Sequence, residues 1–234
     1  MVPDLKESIE IGREGVEGFP NQWREHLDKE GAKFTSIMKE FFVTCQKLHV
    51  QFMSAVALGL GLPERYFDEY ICEANNTLRL LHYPPNKGQV RAGEHSDYGT
   101  VTLLFQDARG GLQVRSLRDT FIDAVPIPDT VVVNTGDSLA RWSNDIIKST
   151  RHRVVEPASM PENEGREEYL ARYRIAYFCN PNNKAYIEAT PETCGEGERK
   201  YEGIETGEYL AKETDGDILA CWLVHGWFCF PKCV

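Results

Sequence analysis

His95 and Asp97 set an imidazole and a carboxylate two residues apart in His95-Ser96-Asp97. Residues two apart on an extended segment point to the same side, so both groups can converge on one ion. A third ligand is then expected from a distant strand. His152, in Thr150-Arg151-His152-Arg153-Val154-Val155, is the histidine set in a β-rich run downstream. Two histidines and one carboxylate fill one face of an octahedron and leave three positions open, an arrangement suited to dioxygen chemistry at a mononuclear non-haem Fe(II). A lone His-x-Asp arises often by chance, and its plain alternative is a buried histidine satisfied by a neighbouring carboxylate.

The elements that would position these groups fall into two textures. From Lys33 onward, Phe34, Ile37, Met38, Phe41, Cys45, Leu48, Phe52, Ala55, Val56 and Gly59 recur at three-and-four spacing, which predicts one long amphipathic helix packed on a core. Gly59, Gly61 and Pro63 end it, and Pro63 suits the opening of a short second helix through Tyr66, Phe67 and Tyr70. Residues 1–30 show no sustained period and read as an irregular lead-in. After Cys72 come short β-rich runs: 77–83, 100–105, 112–115, 121–125, 130–134, 152–156 and 173–179. Gly110-Gly111 falls between two of them and suits a hairpin turn of positive φ. Short strands at this spacing predict a sandwich or jelly roll with flanking helices rather than alternating βαβ units.

The segment Gly93-Glu94-His95-Ser96-Asp97-Tyr98-Gly99-Thr100-Val101-Thr102-Leu103-Leu104-Phe105-Gln106-Asp107, with Gly110-Gly111-Leu112-Gln113-Val114 after it, resembles the iron and 2-oxoglutarate-dependent dioxygenases related to isopenicillin N synthase. So do Asn134-Thr135-Gly136-Asp137-Ser138-Leu139, Arg141-Trp142-Ser143-Asn144-Asp145 and Lys148-Ser149-Thr150-Arg151-His152-Arg153-Val154. The likeness runs from about Asn76 to Cys179. It implies a mainly β fold with flanking helices, a double-stranded β-helix with a metal triad at one mouth, and it makes His95, Asp97 and His152 the ligands of Fe(II). It also implies 2-oxoglutarate as cosubstrate, dioxygen, and a small organic metabolite that is hydroxylated, desaturated or cyclised.

Within Arg172-Tyr173-Arg174-Ile175-Ala176-Tyr177-Phe178, Arg172 matches the family arginine that holds the distal carboxylate of 2-oxoglutarate. A planar fork of donors that stays charged suits that task. Two residues later the family carries a serine, and here stands Arg174. Tyr83 matches a tyrosine whose hydroxyl touches the same carboxylate, and Phe178 and Trp142 match positions lining the substrate pocket. Asn134 and Asp137 also match, and a turn role is expected of them. The resemblance divides the chain into a helical support region at 1–70, the jelly roll at 71–212 and an atypical tail at 213–234, with part of the family's usual N-terminal stretch missing. Two alternatives stay open: a truncated, non-catalytic metal-binding homologue, and an iron oxidase that does not use 2-oxoglutarate, to which the departure at Arg174 lends support.

The bulk properties bound the rest. The chain has 234 residues, 41% hydrophobic and 11% aromatic, enough for one sizeable core. A net charge of −10 repels phosphate backbones and anionic lipid, so neither nucleic acid nor membrane is expected as a partner. No apolar run reaches the roughly 20 residues of a membrane span, and the first ten residues carry no signal-like apolar core, so a cytoplasmic protein is expected. The 7 cysteines are odd in number and scattered, which argues for reduced thiols rather than a disulfide framework.

Overall fold

The computed structural model describes residues 6–85, 92–155, 170–194 and 199–214. In chain order the elements are β1 (Glu7–Ile11), α1 (Lys29–Gly59), α2 (Asp68–Ile71), β2 (Thr77–Tyr83), β3 (Ala92–His95), β4 (Val101–Gln106), β5 (Leu112–Arg115), β6 (Phe121–Asp123), β7 (Val132–Thr135), α3 (Asp137–Trp142), β8 (His152–Val154), β9 (Arg172–Cys179), β10 (Tyr186–Ile187), α4 (Pro191–Cys194), β11 (Ile204–Glu205) and α5 (Thr206–Thr214).

Two antiparallel sheets carry the fold, one in the order β1-β2-β9-β4-β7 and the other β3-β8-β5-β6. From β3 to β9 the chain passes back and forth between them, with β5 and β6 a hairpin within the smaller sheet, which makes a double-stranded β-helix. Strand alternation gives each sheet two faces. On the inner face of the larger sheet, Leu81, Tyr83, Leu104 and Ala176 pack with Leu112 of the smaller one. On its outer face, Leu78, Val101, Leu103, Tyr177 and Cys179 meet α1.

Helix α1 starts where Asp28 accepts a hydrogen bond from Gly31 N at 2.7 Å, satisfying a donor that the first turn leaves open. It ends before Gly61, whose φ of 75° a side chain would strain. Met38, Phe42, Cys45, His49, Met53 and Ala57 form its buried stripe. The Phe42 ring meets the Tyr177 ring edge-on at 5.2 Å. Each fully buried Met or Phe in such a stripe contributes about 1.5–3 kcal/mol. Of the residues that the spacing picks, Met38 and Cys45 are buried and Phe34, Phe41, Phe52 and Val56 pack against the core, but Ile37 and Leu48 are exposed, so the buried stripe is rotated from the expected one.

Two expectations give way. Residues 7–11 form β1, which pairs with β2 from Glu7 opposite His82 to Ile11 opposite Leu78. Its alternation is masked in sequence because only Ile11 of this edge strand is buried, while Glu7, Ser8 and Ile9 are exposed. Gly110 and Gly111 do adopt positive φ, 72° and 83°, but β4 and β5 lie in different sheets, so the turn is a crossover and not a hairpin. Among the described residues no helix is long and apolar enough to cross a membrane. The expected tail lies outside the described residues from 215 onward.

Candidate metal centre

His95 ends β3 and stands opposite His152 of β8 in register, their rings 4.3 Å apart. Asp97 lies just past β3, in the loop that crosses to β4, so the convergence comes from a turn rather than from strand alternation alone. One ligand atom from each of His95, Asp97 and His152 lies within 4.8 Å of the others. His152 Nε2 is 3.9 Å from Asp97 Oδ1.

The surrounding groups fix which atoms face inward. His95 Nδ1 lies 2.8 Å from Gly93 O and His152 Nδ1 3.0 Å from Thr150 O. A carbonyl only accepts, so each Nδ1 carries its ring's proton and each Nε2 keeps a free lone pair. Asp97 Oδ2 accepts hydrogen bonds from Thr102 Oγ1 at 2.6 Å and Asn134 Nδ2 at 2.7 Å, leaving Oδ1 toward His152. Desolvation first, and then the neighbouring His152 ring, hold the His95 imidazole below its ordinary range. This donor set, two neutral imidazoles and a carboxylate with an oriented second layer, fits a divalent iron.

The loop carrying Asp97 is pinned by the start of α3. Asp137 N donates to Asp97 O at 2.8 Å, Gly136 N to Thr100 O at 2.9 Å, and Ser138 Oγ to Tyr98 O at 2.6 Å. A side chain at residue 136 would collide with Gly99 O and lie 2.8 Å from Asp97 O, so only glycine lets the two segments approach. Glu94, one residue before His95, pairs with Arg151, one before His152, at 2.8 Å and with Arg115 at 2.6 Å.

Of the further candidates, Tyr83, Arg172, Arg174 and Phe178 share the inner face of the larger sheet. The register sets Arg172 opposite Tyr83, Arg174 opposite Leu81 and Gln106, and Phe178 opposite Thr102. Arg172 and Arg174 are 1% and 5% exposed, and their guanidinium carbons stand 5.9 and 6.0 Å from the Tyr83 ring centroid. Arg79 lies over the Phe178 ring at 4.9 Å and pairs with Glu10 at 2.6 Å. Trp142 is not brought to this face. It is 2% exposed in the helix-side core, its ring 5.2 Å from Phe67 and 5.5 Å from Tyr70. The turn role expected of Asn134 also gives way: it sits on β7 and its amide holds Asp97. Thr102 was not foreseen at all, since a threonine in an apolar strand carries no sequence signal of its partner.

Residues 74–181 match the family model of the 2OG-Fe(II) oxygenase superfamily. A full-length Neurospora crassa protein, solved with alpha-KG and 5-formyluracil, is 54% identical, with a TM-score of 0.84 over 92% of this chain and 70% of that one. The chain belongs to the 2OG-Fe(II) oxygenase superfamily. The same Neurospora protein solved with alpha-KG and thymine superposes with a TM-score of 0.85 over 92% of this superfamily member and 66% of that chain. The 2-oxoglutarate-dependent dioxygenase gloF of Glarea lozoyensis is 39% identical over 86% of this chain and 63% of its own length. The proline hydroxylase buaE of Petromyces alliaceus is 39% identical over 80% and 59%. This superfamily member therefore spans about three fifths of the length of the curated relatives it matches.

Proposed function

We propose that the chain is a non-haem Fe(II) and 2-oxoglutarate-dependent dioxygenase whose substrate is a small planar heterocycle of the pyrimidine class. The observation that carries the reading is the convergence of His95 Nε2, His152 Nε2 and Asp97 Oδ1, with every opposite atom engaged by protein. His95, Asp97 and His152 would hold the iron, and Arg172 with Tyr83 would hold the far carboxylate of 2-oxoglutarate. When bound, Fe(II) supplies the redox chemistry that couples decarboxylation of 2-oxoglutarate by dioxygen, yielding succinate and carbon dioxide, to insertion of the second oxygen atom into a substrate C–H bond.

The protein's part is orientation and exclusion of water. Thr102 and Asn134 keep Asp97 turned toward the histidines, and the sheet-to-sheet cluster of Leu81, Leu104, Leu112 and Ala176 dries the cavity between them. The pyrimidine class is supported by the thymine and 5-formyluracil complexes of the 54% identical relative. In this chain Phe178, opposite Thr102, offers a ring face beside Asp97, and the Arg79 guanidinium over it offers donors for ring carbonyls.

The test loads Fe(II) anaerobically, adds 2-oxoglutarate and thymine, and admits air. Succinate and a hydroxylated pyrimidine in equal amounts are expected, with little product from proline in place of thymine. No succinate under any substrate would end the dioxygenase reading; succinate coupled to proline alone would end the pyrimidine reading.

A further inference from the structure

Strand β3 carries one residue too many for its partner. Ala92 stands opposite Val154 and His95 opposite His152, so Gly93 and Glu94 together face Arg153. Such a bulge re-aims the side chains beside it. Register is weakly set where little of a strand is buried, and Ala92 is the one buried residue of β3. A slip of one residue would bring Glu94 or Ser96 opposite His152 and turn His95 away.

His95, His152 and Val114 lie side by side on β3, β8 and β5. Each has a charged neighbour in sequence: Glu94 before His95, Arg151 before His152, and Arg115 after Val114. A single oxygen, Glu94 Oε1, takes Arg151 Nε at 2.8 Å and Arg115 Nη1 at 2.6 Å. Asp119 Oδ1 accepts from Arg115 Nε at 2.6 Å, which anchors that fork. Arg115 N donates to Arg151 O at 2.9 Å, so two cations stand on adjacent segments, where like charges repel and the Glu94 carboxylate offsets the repulsion. The Glu94 and Arg115 side chains are 27% and 31% exposed, so solvent screens this tie only in part. Resting on the metal-centre reading above, we propose that Glu94 is a positioning residue: its tie to Arg151 and Arg115 holds the bulged strand in the register that aims His95 at the ion. A slip would pull its carboxylate away from both guanidiniums, so the charge network opposes the one displacement that backbone pairing leaves open.

The experiment measures metal binding rather than turnover. Mn(II) is titrated into wild type, Glu94→Gln, Glu94→Asp, Arg151→Gln, His95→Ala and the Glu94→Gln/His95→Ala double variant, and metal-free unfolding temperatures on the same samples establish that each is folded. Glu94→Gln is expected to bind Mn(II) roughly three- to tenfold more weakly, the scale of one or two partly shielded ion pairs, with Glu94→Asp between it and wild type. Arg151→Gln, in which Arg115 still holds Glu94, is expected within about twofold of wild type. On the His95→Ala background Glu94→Gln costs nothing further, because the ligand that it positions is gone. The ligand-field spectrum of the Co(II)-loaded chain is a second readout, and Glu94→Gln should shift it toward that of His95→Ala. Equal affinity of wild type and Glu94→Gln overturns the proposal and leaves an ordinary surface ion pair. So does an equal loss with and without His95, or a tightening in Arg151→Gln that mirrors the loss in Glu94→Gln, since either marks a carboxylate that acts only through its field. Wild type that takes up no Mn(II) overturns the metal-centre reading itself, and the proposal with it.

Discussion

Asp97 has two carboxylate oxygens, and the fold treats them differently. Oδ2 is held by Thr102 and Asn134, while Oδ1 is left toward His152. A carboxylate fixed in this way cannot rotate to pair with solvent, so its orientation is set before any ion arrives. Removing one holder keeps the ligand and loosens its aim. Asn134→Ala is therefore expected to weaken Fe(II) or Mn(II) binding about ten- to a hundredfold, the usual cost of losing a group that orients a ligand. Metal titration checks this, and unchanged affinity would show that the amide only fills space. The three converging side chains were legible in sequence because their types are those that can bind iron and two of them sit two residues apart. Asn134 was not legible. It precedes Thr135-Gly136-Asp137, a run that reads as turn chemistry, and only pairing Thr102 with Asn134 across β4 and β7 reveals what its amide reaches.

Polar contacts interrupt the mainly apolar seam between helix α1 and the larger sheet: Tyr177 Oη donates to Gln46 Oε1 at 3.3 Å, and a buried histidine reaches the start of β4. His49, fully buried, lies with Nε2 3.0 Å from Thr100 Oγ1, and that hydroxyl donates to Cys179 O at 3.0 Å. Nε2 therefore carries the proton, and Nδ1 is buried with no hydrogen-bond partner among the described residues. Burial lowers the His49 pKa from 6.5 to about 4. Between those values the unfolded chain binds a proton that the folded chain refuses, so stability falls as pH drops through this window, and above it His49 contributes no pH dependence. At pH 5 the loss is about 2 kcal/mol. Urea unfolding of wild type and His49→Gln at pH 7 and pH 5 should show wild type losing about that much more on acidification. Equal losses would refute the assignment, since the other titrating groups are common to both proteins. At this scale α1, β2, β4, β5 and β9 were legible from apolar spacing, with ends shifted by a residue or a few. Strand β3, Ala92-Gly93-Glu94-His95, was not, because it buries only Ala92 and is defined by its partner β8. The six-residue α3 was missed too: it is too short to show a period, and its start is set by the close approach of Gly136 to Gly99.

Across the whole molecule, the candidate centre is a clasp between the two sheets. His95 and His152 belong to the smaller sheet, whereas Asp97 is held by Thr102 and Asn134 of the larger one. An ion bound by all three joins the sheets at a mouth that otherwise closes through the small apolar cluster around Leu104 and Leu112. The jelly roll itself was legible from the rhythm of short strands, but this division of ligands was not, since it depends on which sheet each strand joins. A ligand that binds the folded chain and not the unfolded one stabilises it by mass action, about 2.7 kcal/mol at a hundred times its dissociation constant. For a chain of this size that corresponds to a rise of about 5–10 °C in Tm. Saturating Fe(II) under anaerobic conditions, or Mn(II) in air, should raise the unfolding temperature by that amount, and a chelator should reverse it. Asp97→Ala separates specific from diffuse binding. The formal net charge of −10 attracts divalent cations in general, and salt screens that attraction. The specific increment should therefore persist at high salt in wild type and vanish in Asp97→Ala at any salt. A rise of equal size in both proteins would place the ion elsewhere on the acidic surface and remove the clasp from the account of how the two sheets are held.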